Sequence, residues 1–352
     1  MNIFLLLFGL ALILGGADLL TDGASALAKR LRMPEFLIGL TIVAIGTSTP
    51  ELVVSVLSAI GGKTDMALGN VVGSNLFNGF VILGLCALIR PIPYTRDNIR
   101  YDIPFGILAS VLLLAAASDR FLHLGTVDTI GRGEGIVMLL LYGAFMAFTI
   151  RHARRTHAAT VPSAPQPQTD TQTQTDAQPQ TSTAQGADAQ PQTGTPQVGA
   201  AQGPALWKLA AMIVGGLVLL VGGGELFLRA ATAIARALGV SDSVIALTLV
   251  AGGTSLPELA ASIVSLVKGR SAMALGNAIG SNIANILLIL GLSATIRPLS
   301  MGGITHADLA AVLSNALLLW IAAFTFRRRA IDRTEGALFL LLYAAYLWHL
   351  LR

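Results

Sequence analysis

The chain has 352 residues, of which 54% are hydrophobic and only 12% charged. A soluble domain carries about twice that share of charge, so the composition argues against a water-soluble globular protein. The formal net charge of +4 comes from basic residues scattered between apolar runs, which excludes a nucleic-acid patch.

Apolar runs occupy 3–15, 36–60, 71–89, 103–117, 135–150, 209–228, 244–267, 274–296, 309–324 and 336–351. A membrane-crossing helix needs roughly 20 residues. The shorter runs are still read as spans, because each has a counterpart in the other half of the chain. The first run lacks a basic leader and a small-x-small cleavage site. It also matches the internal stretch 209–223, so it is read as the first transmembrane helix. The single cysteine, Cys86, lies in an apolar run and reads as a small buried hydrophobe.

The chain aligns with itself at a shift of 207 residues. GLTIVAIGTSTPEL at 39–52 matches ALTLVAGGTSLPEL at 246–259, and MALGNVVGSNLFN at 66–78 matches MALGNAIGSNIAN at 273–285. A further match, EGIVMLLLY at 134–142 with EGALFLLLY at 335–343, appears at a shift of 201. The expected architecture is therefore an all-α integral membrane protein of ten helices, arranged as two five-helix repeats. An odd number per repeat inverts the second copy, an arrangement typical of secondary transporters, whose substrate site lies where the copies meet. The expected boundaries are 1–150 for the first repeat, 151–206 for a linker and 207–352 for the second repeat. Within the linker, 157–202 is rich in Thr, Gln, Pro and Ala and has almost no large apolar residue. Such a segment cannot bury enough surface to offset its ordering entropy, so it is expected to be disordered.

With ten helices and the N-terminus outside, 16 of the 23 Lys and Arg fall in inside loops and 7 outside. Both termini are expected to face outward and the linker the cytoplasm.

The best-matched segments hold the unusual residues. Thr47-Ser48-Thr49-Pro50-Glu51 and Thr254-Ser255-Leu256-Pro257-Glu258 each interrupt an apolar helix. Proline lacks an N–H and crowds the carbonyl four residues back, so Pro50 is expected to release that of Gly46 and Pro257 that of Gly253. Freed carbonyls are tolerated in a membrane only where protein, water or an ion satisfies them. Thr47, Glu51 and Ser55 share one helix face, as do Thr254, Glu258 and Ser262. The next helix in each half adds Ser74 with Asn78, and Ser281 with Asn285. The preceding Gly69-x-x-x-Gly73 and Gly276-x-x-x-Gly280 permit close helix approach. Every one of these polar groups offers oxygen, which suits hard cations such as calcium and sodium. No His or Cys lies in either segment, which disfavours zinc or copper. A charge at the bilayer centre costs about 2.5–3.5 kcal/mol on insertion scales. Two glutamates at matched positions beside a proline break therefore point to a site. Together they carry two negative charges, which one Ca²⁺ or two Na⁺ neutralise.

GTSTPE with GNVVGSNLFN, and GTSLPE with GNAIGSNIAN, resemble the two alpha repeats of the calcium/cation antiporter superfamily, the sodium/calcium exchangers. The resemblance implies alternating access, with sites built by helices 2, 3, 7 and 8. It implies ion ligation by Thr47, Ser48, Glu51, Ser74 and Asn78, and by Thr254, Ser255, Glu258, Ser281 and Asn285. It adds the backbone carbonyls of Ala44 and Ala251. Some family members, including potassium-dependent exchangers, carry Asp where this chain has Asn285, which argues against potassium co-transport.

The expected function is sodium/calcium antiport in the plasma membrane, or in the inner membrane of a Gram-negative bacterium. The expected partners are calcium and sodium ions and the lipid bilayer, with no cofactor. The oligomeric state is not legible. The nearest alternative is an antiporter coupled to protons or moving another cation, and a cation channel is a rival of a different class. An intramembrane protease is disfavoured because all five histidines fall in loops or near helix ends.

Overall fold

A computed structural model describes residues 2–119, 127–160, 204–239, 251–325 and 329–350. The described chain is helical apart from two short ribbons. In order it forms α1 (Asn2–Leu31), α2 (Glu35–Thr47), α3 (Thr49–Ile60), α4 (Thr64–Ile89), α5 (Asn98–Ala116) and α6 (Arg132–Thr160). There follow α7 (Leu206–Ala237), α8 (Ala251–Gly253), α9 (Leu256–Val267), α10 (Ser271–Ile296), α11 (His306–Ile321) and α12 (Arg333–Leu350). Six of these are long and apolar enough to cross a bilayer: α1, α4, α5, α6, α7 and α10. The pair α2–α3, bent by 47°, makes a seventh. The short α9 follows residues 240–250, which lie outside the described set, as do 161–203 of the expected linker. Helix α6 runs on to Thr160, into the start of the expected linker.

Helices α4 and α10 form the centre. Their most apolar stretches are 67% and 72% buried, against 28% for α1 and α7. The outer helices turn large apolar side chains outward, among them Phe4, Leu7, Leu14, Val214 and Val218. Such a surface suits lipid, since water would penalise it.

The first apolar run ends near residue 15, yet α1 continues to Leu31. Packing explains the extension. A Cβ on Gly16 would lie 2.7 Å from the Gly216 carbonyl oxygen, and one on Gly216 would lie 2.8 Å from that of Gly16. One turn pair away, Gly9 and Gly223 meet in the same way, at 2.9 Å in both directions. Gly9 and Gly16 match Gly216 and Gly223 at the 207-residue shift, so the α1–α7 crossing is self-complementary. The polar end of α1 is tied down by ion pairs. Lys268 Nζ lies 2.6 Å from Asp18 and 2.8 Å from Asp22, and Arg270 lies 3.0 Å from Asp22. The helix stops at Arg32, which takes a left-handed φ of 53°, with the Met33 N–H returning to the Ala28 carbonyl at 2.9 Å.

The two ribbons each join one half of the chain to the other. Ile92–Pro93 pairs antiparallel with Ala330–Ile331, and Thr129–Ile130 with Leu299–Ser300. Cys86 is buried in the core, as expected.

Candidate cation site

Each broken span is interrupted at a serine. Ser48 has φ −79° and ψ 10°, and Ser255 has φ −90° and ψ 8°, both too far from helical values to continue the turn. Pro50 and Pro257 then fall in the first turn of the new helices α3 and α9. There their missing N–H costs nothing, because first-turn N–H groups have no intrahelical partner. Glu51 and Glu258 occupy the same first turns, where the helix dipole favours negative charge.

The breaks bring the two halves into one cluster. Ser48 Oγ donates to Glu258 Oε1 at 2.8 Å, and Ser255 Oγ donates to Glu51 Oε1 at 3.0 Å. Ser74 Oγ also donates to Glu51 Oε1, at 3.3 Å, and lies 2.9 Å from Ser255 Oγ. Asn285 Nδ2 donates to Ser74 Oγ at 3.0 Å. The Ala44 carbonyl accepts from Thr47 Oγ1 at 3.3 Å and from Ser281 Oγ at 3.5 Å. Glu51, Glu258, Ser74, Ser255, Asn78, Ser281 and Asn285 are completely buried. Asn78 and Thr254 lie in the same segments, and among the described residues neither amide atom of Asn78 has a hydrogen-bond partner. Ala251 opens α8.

The close approach anticipated for Gly276-x-x-x-Gly280 is present. A Cβ on Gly276 would strike the Phe36 carbonyl, and one on Gly280 would strike that of Leu40. This seats α10, with Ser281 and Asn285, against α2. Gly73 has nothing within 4 Å among the described residues. Asn78 and Asn285 each fall at the start of a π-helical turn, Phe77–Ile82 and Asn285–Leu290. Such turns widen the helix and recur at functional sites.

Two residues missing from the expected set hold the breaks in place. Asn70 Nδ2 donates to the Glu51 carbonyl at 3.2 Å and to Ser55 Oγ at 3.0 Å. Asn277 Nδ2 donates to the Glu258 carbonyl at 3.3 Å and to Ser262 Oγ at 3.0 Å. Asn277 Oδ1 in turn lies 3.2 Å from Thr47 Oγ1, whose one hydrogen it shares with the Ala44 carbonyl. The signal was available: Asn70 lies one turn before Ser74 on the Asn78 face, and Asn277 stands likewise to Ser281. Ser55 and Ser262, read as extensions of the polar stripe, are partners of these clamps.

Among the described residues, six of the ten buried side-chain polar atoms without a hydrogen-bond partner lie here. They are Glu51 Oε2, Glu258 Oε2, both amide atoms of Asn78, Asn285 Oδ1 and Thr254 Oγ1. An unsatisfied buried polar atom costs about 1–3 kcal/mol, so their concentration makes this cluster the candidate binding site. Among the described residues no Lys or Arg pairs with either glutamate, and no group of three or more His, Cys, Asp or Glu forms. The donor set is two carboxylates with neutral oxygens, which fits a hard cation.

A cavity of about 260 Å³ lies beside the breaks, lined by Thr49, Pro50, Val53, Glu225, Thr254 and Pro257 among others. At the opposite end of α9, Lys268 and Arg270 hold α1. Partial burial opposes the Lys268 charge, but hydrogen bonds and attraction from Asp18 and Asp22 outweigh it and raise its pKa. Asp18 is thus an anchor for the ion pairs, and Glu225 pairs with Arg229 at 2.5 Å on the surface of α7.

Comparisons with known proteins bear on the family and the fold. The family described as sodium/calcium exchanger protein matches residues 1–151 and 208–352. The chain is 32% identical over 358 residues to the sodium/calcium exchanger MaX1 of Methanosarcina acetivorans, covering 98% of this chain and 97% of that protein. It is 33% identical over 294 residues to the inner membrane protein YrbG of Escherichia coli, covering 84% and 79%. Its fold matches a structure of the sodium-calcium exchanger NCX_Mj soaked with zero Na⁺ and Ca²⁺. There the TM-score is 0.76 and the identity 28%, over 99% of this chain and 98% of that one.

Proposed function

The chain belongs to the sodium/calcium exchanger protein family, and we propose that it exchanges sodium for calcium by alternating access at the Glu51–Glu258 site. The observation that carries this reading is reciprocal. Each break serine donates to the glutamate of the other half, so two carboxylates share one pocket with their second oxygens left bare. One Ca²⁺ or two Na⁺ would balance both charges, so the ions compete for the same oxygens. In this reading the ligands are the side chains of Thr47, Ser48, Glu51, Ser74, Asn78, Thr254, Ser255, Glu258, Ser281 and Asn285, with the carbonyls of Ala44 and Ala251.

The arrangement is ten transmembrane helices in two inverted repeats, with α11 and α12 completing the second copy. The paired ribbons and the self-complementary α1–α7 crossing support it. Both termini face outward from a plasma or inner membrane. In that orientation the Lys268 ion pairs lie toward the inner side, away from the cavity beside Thr49 and Thr254.

The test is ⁴⁵Ca²⁺ uptake into proteoliposomes under separately imposed Na⁺, K⁺ and H⁺ gradients. An outward Na⁺ gradient is expected to drive uptake. Uptake driven by H⁺ alone, and indifferent to Na⁺, overturns the reading in favour of a proton-coupled antiporter.

A further inference from the structure

The groups around the Asn285 amide fix its orientation. Its Nδ2 lies 3.0 Å from Ser74 Oγ and 3.0 Å from Asn75 Oδ1. The Ser74 hydroxyl hydrogen goes to Glu51 Oε1, so its oxygen is left to accept from Asn285. On the far side, Asn75 Nδ2 donates to the main-chain carbonyl of Asn282 at 3.3 Å. A carbonyl can only accept, so Asn75 turns its nitrogen toward Asn282 and its oxygen toward Asn285. Both N–H groups of Asn285 are thereby used, and its Oδ1 stays buried and bare, as an oxygen ligand must.

We propose that Asn75 is a positioning residue, which holds the Asn285 amide with its oxygen rather than its N–H groups toward the transported cations. The inference rests on the cation-site reading of the Glu51–Glu258 pocket. A flipped Asn285 would aim two donors at a cation, turning attraction into repulsion. Asn75 is itself buried, 1% exposed, and its side chain hydrogen-bonds to the Asn285 amide and to the Asn282 carbonyl.

The repeat alone does not dictate this contact. Asn78 and Asn282 are the counterparts of Asn285 and Asn75 at the 207-residue shift. Yet among the described residues both amide atoms of Asn78 and the Oδ1 of Asn282 have no hydrogen-bond partner. One amide of the matched pair is therefore locked and the other is not. Asn282 instead lines a cavity of about 30 Å³ with Asn75, Ser110 and Asn315.

The experiment measures Na⁺-driven Ca²⁺ flux and, on the same purified proteins, ⁴⁵Ca²⁺ equilibrium binding. Asn75→Leu removes the hold at similar size. Asn75→Asp keeps an oxygen facing Asn285. Asn75→Leu is expected to weaken apparent Ca²⁺ affinity about tenfold, with maximal flux within about twofold of wild type. Asn75→Asp is expected to recover most of that affinity. In an Asn285→Ala background, Asn75→Leu is expected to add less than about twofold, because it acts through Asn285. Should Asn75→Leu fail to insert, Asn75→Ser is read by the same criteria. Unchanged affinity, or an equal loss in both backgrounds, overturns the positioning role. A wild type that binds Ca²⁺ but shows no Na⁺-driven flux overturns the exchanger reading instead, and the binding arm still decides Asn75. A wild type that binds no Ca²⁺ overturns both.

Discussion

Ser48 donates a 2.8 Å hydrogen bond to Glu258, a residue 210 positions away and in the opposite half of the chain. Ser255, its counterpart, returns the contact to Glu51. Neither carboxylate is served mainly by its own half, so the pocket exists only when the two halves meet.

Removing the charge of either carboxylate should therefore disable the whole pocket. Glu51→Gln and Glu258→Gln are expected to lower calcium flux at least about tenfold, equivalent to ~1.4 kcal/mol. The amide is nearly the same size, so folding should survive. Flux assays beside gel filtration check this, and near-normal flux in either folded variant would remove the two-carboxylate site.

The clamps should matter more for stability. Asn277→Leu strands the Glu258 carbonyl and the Ser262 hydroxyl in a dry interior. A loss of about 1–3 kcal/mol is expected, with Asn70→Leu behaving alike. Thermal unfolding in detergent reports it, and an unchanged midpoint in both variants contradicts the role assigned to these amides.

Two glycines of α7 should respond oppositely. A Cβ at Gly216 would lie 2.6 Å from the Leu20 nitrogen, whereas nothing lies within 4 Å of one at Gly222. Gly216→Ala is expected to destabilise the α1–α7 crossing by about 1–3 kcal/mol. Gly222→Ala should be neutral or slightly stabilising, because alanine is the better helix former. Equal responses in thermal unfolding would show that the crossing is not set by glycine contact.

Deleting most of 157–202, with a short flexible connection retained, should leave transport nearly intact. The composition of that stretch cannot support a core. A deletion variant that inserts normally but does not transport would assign the segment a role. In the full-length chain, a cysteine placed in this segment in a Cys86→Ala background tests topology. Labelling by an impermeant reagent in intact cells would reverse the proposed orientation.

Asn285→Asp would add a third carboxyl group to the pocket. A charge at ~4 Å from a cation interacts by roughly 4 kcal/mol at an effective dielectric of about 20, before desolvation. The variant is expected to change the apparent Na⁺ or Ca²⁺ affinity or to make flux depend on pH, while the wild type needs no K⁺. Flux measured against Na⁺, K⁺ and pH checks both statements. A strict K⁺ requirement in the wild type refutes one, and an unaltered profile in the variant refutes the other.

Much of this protein is determined along the chain. Apolar length marks the spans, and the 207-residue repeat marks matched positions. The Ser-x-Pro-Glu breaks and the four-residue spacing of Thr47 with Glu51, and of Ser74 with Asn78, mark the polar stripes. These features follow from helix periodicity and from the cost of charge in an apolar run, both local properties. The extension of α1 to Leu31 was not legible, because it depends on glycines of α7 and on Lys268 and Arg270 meeting Asp18 and Asp22. Asn70 and Asn277 were within reach of the same periodicity, but each also holds a main-chain carbonyl, which no side-chain pattern reveals. The exchange of Ser48 and Ser255 across the halves, and the locking of Asn285 but not Asn78, were decided by tertiary structure alone. A repeat makes two segments chemically equal. Only their packing against each other chooses which hydrogen bonds form, because donors and acceptors about 200 residues apart have no spacing rule to connect them.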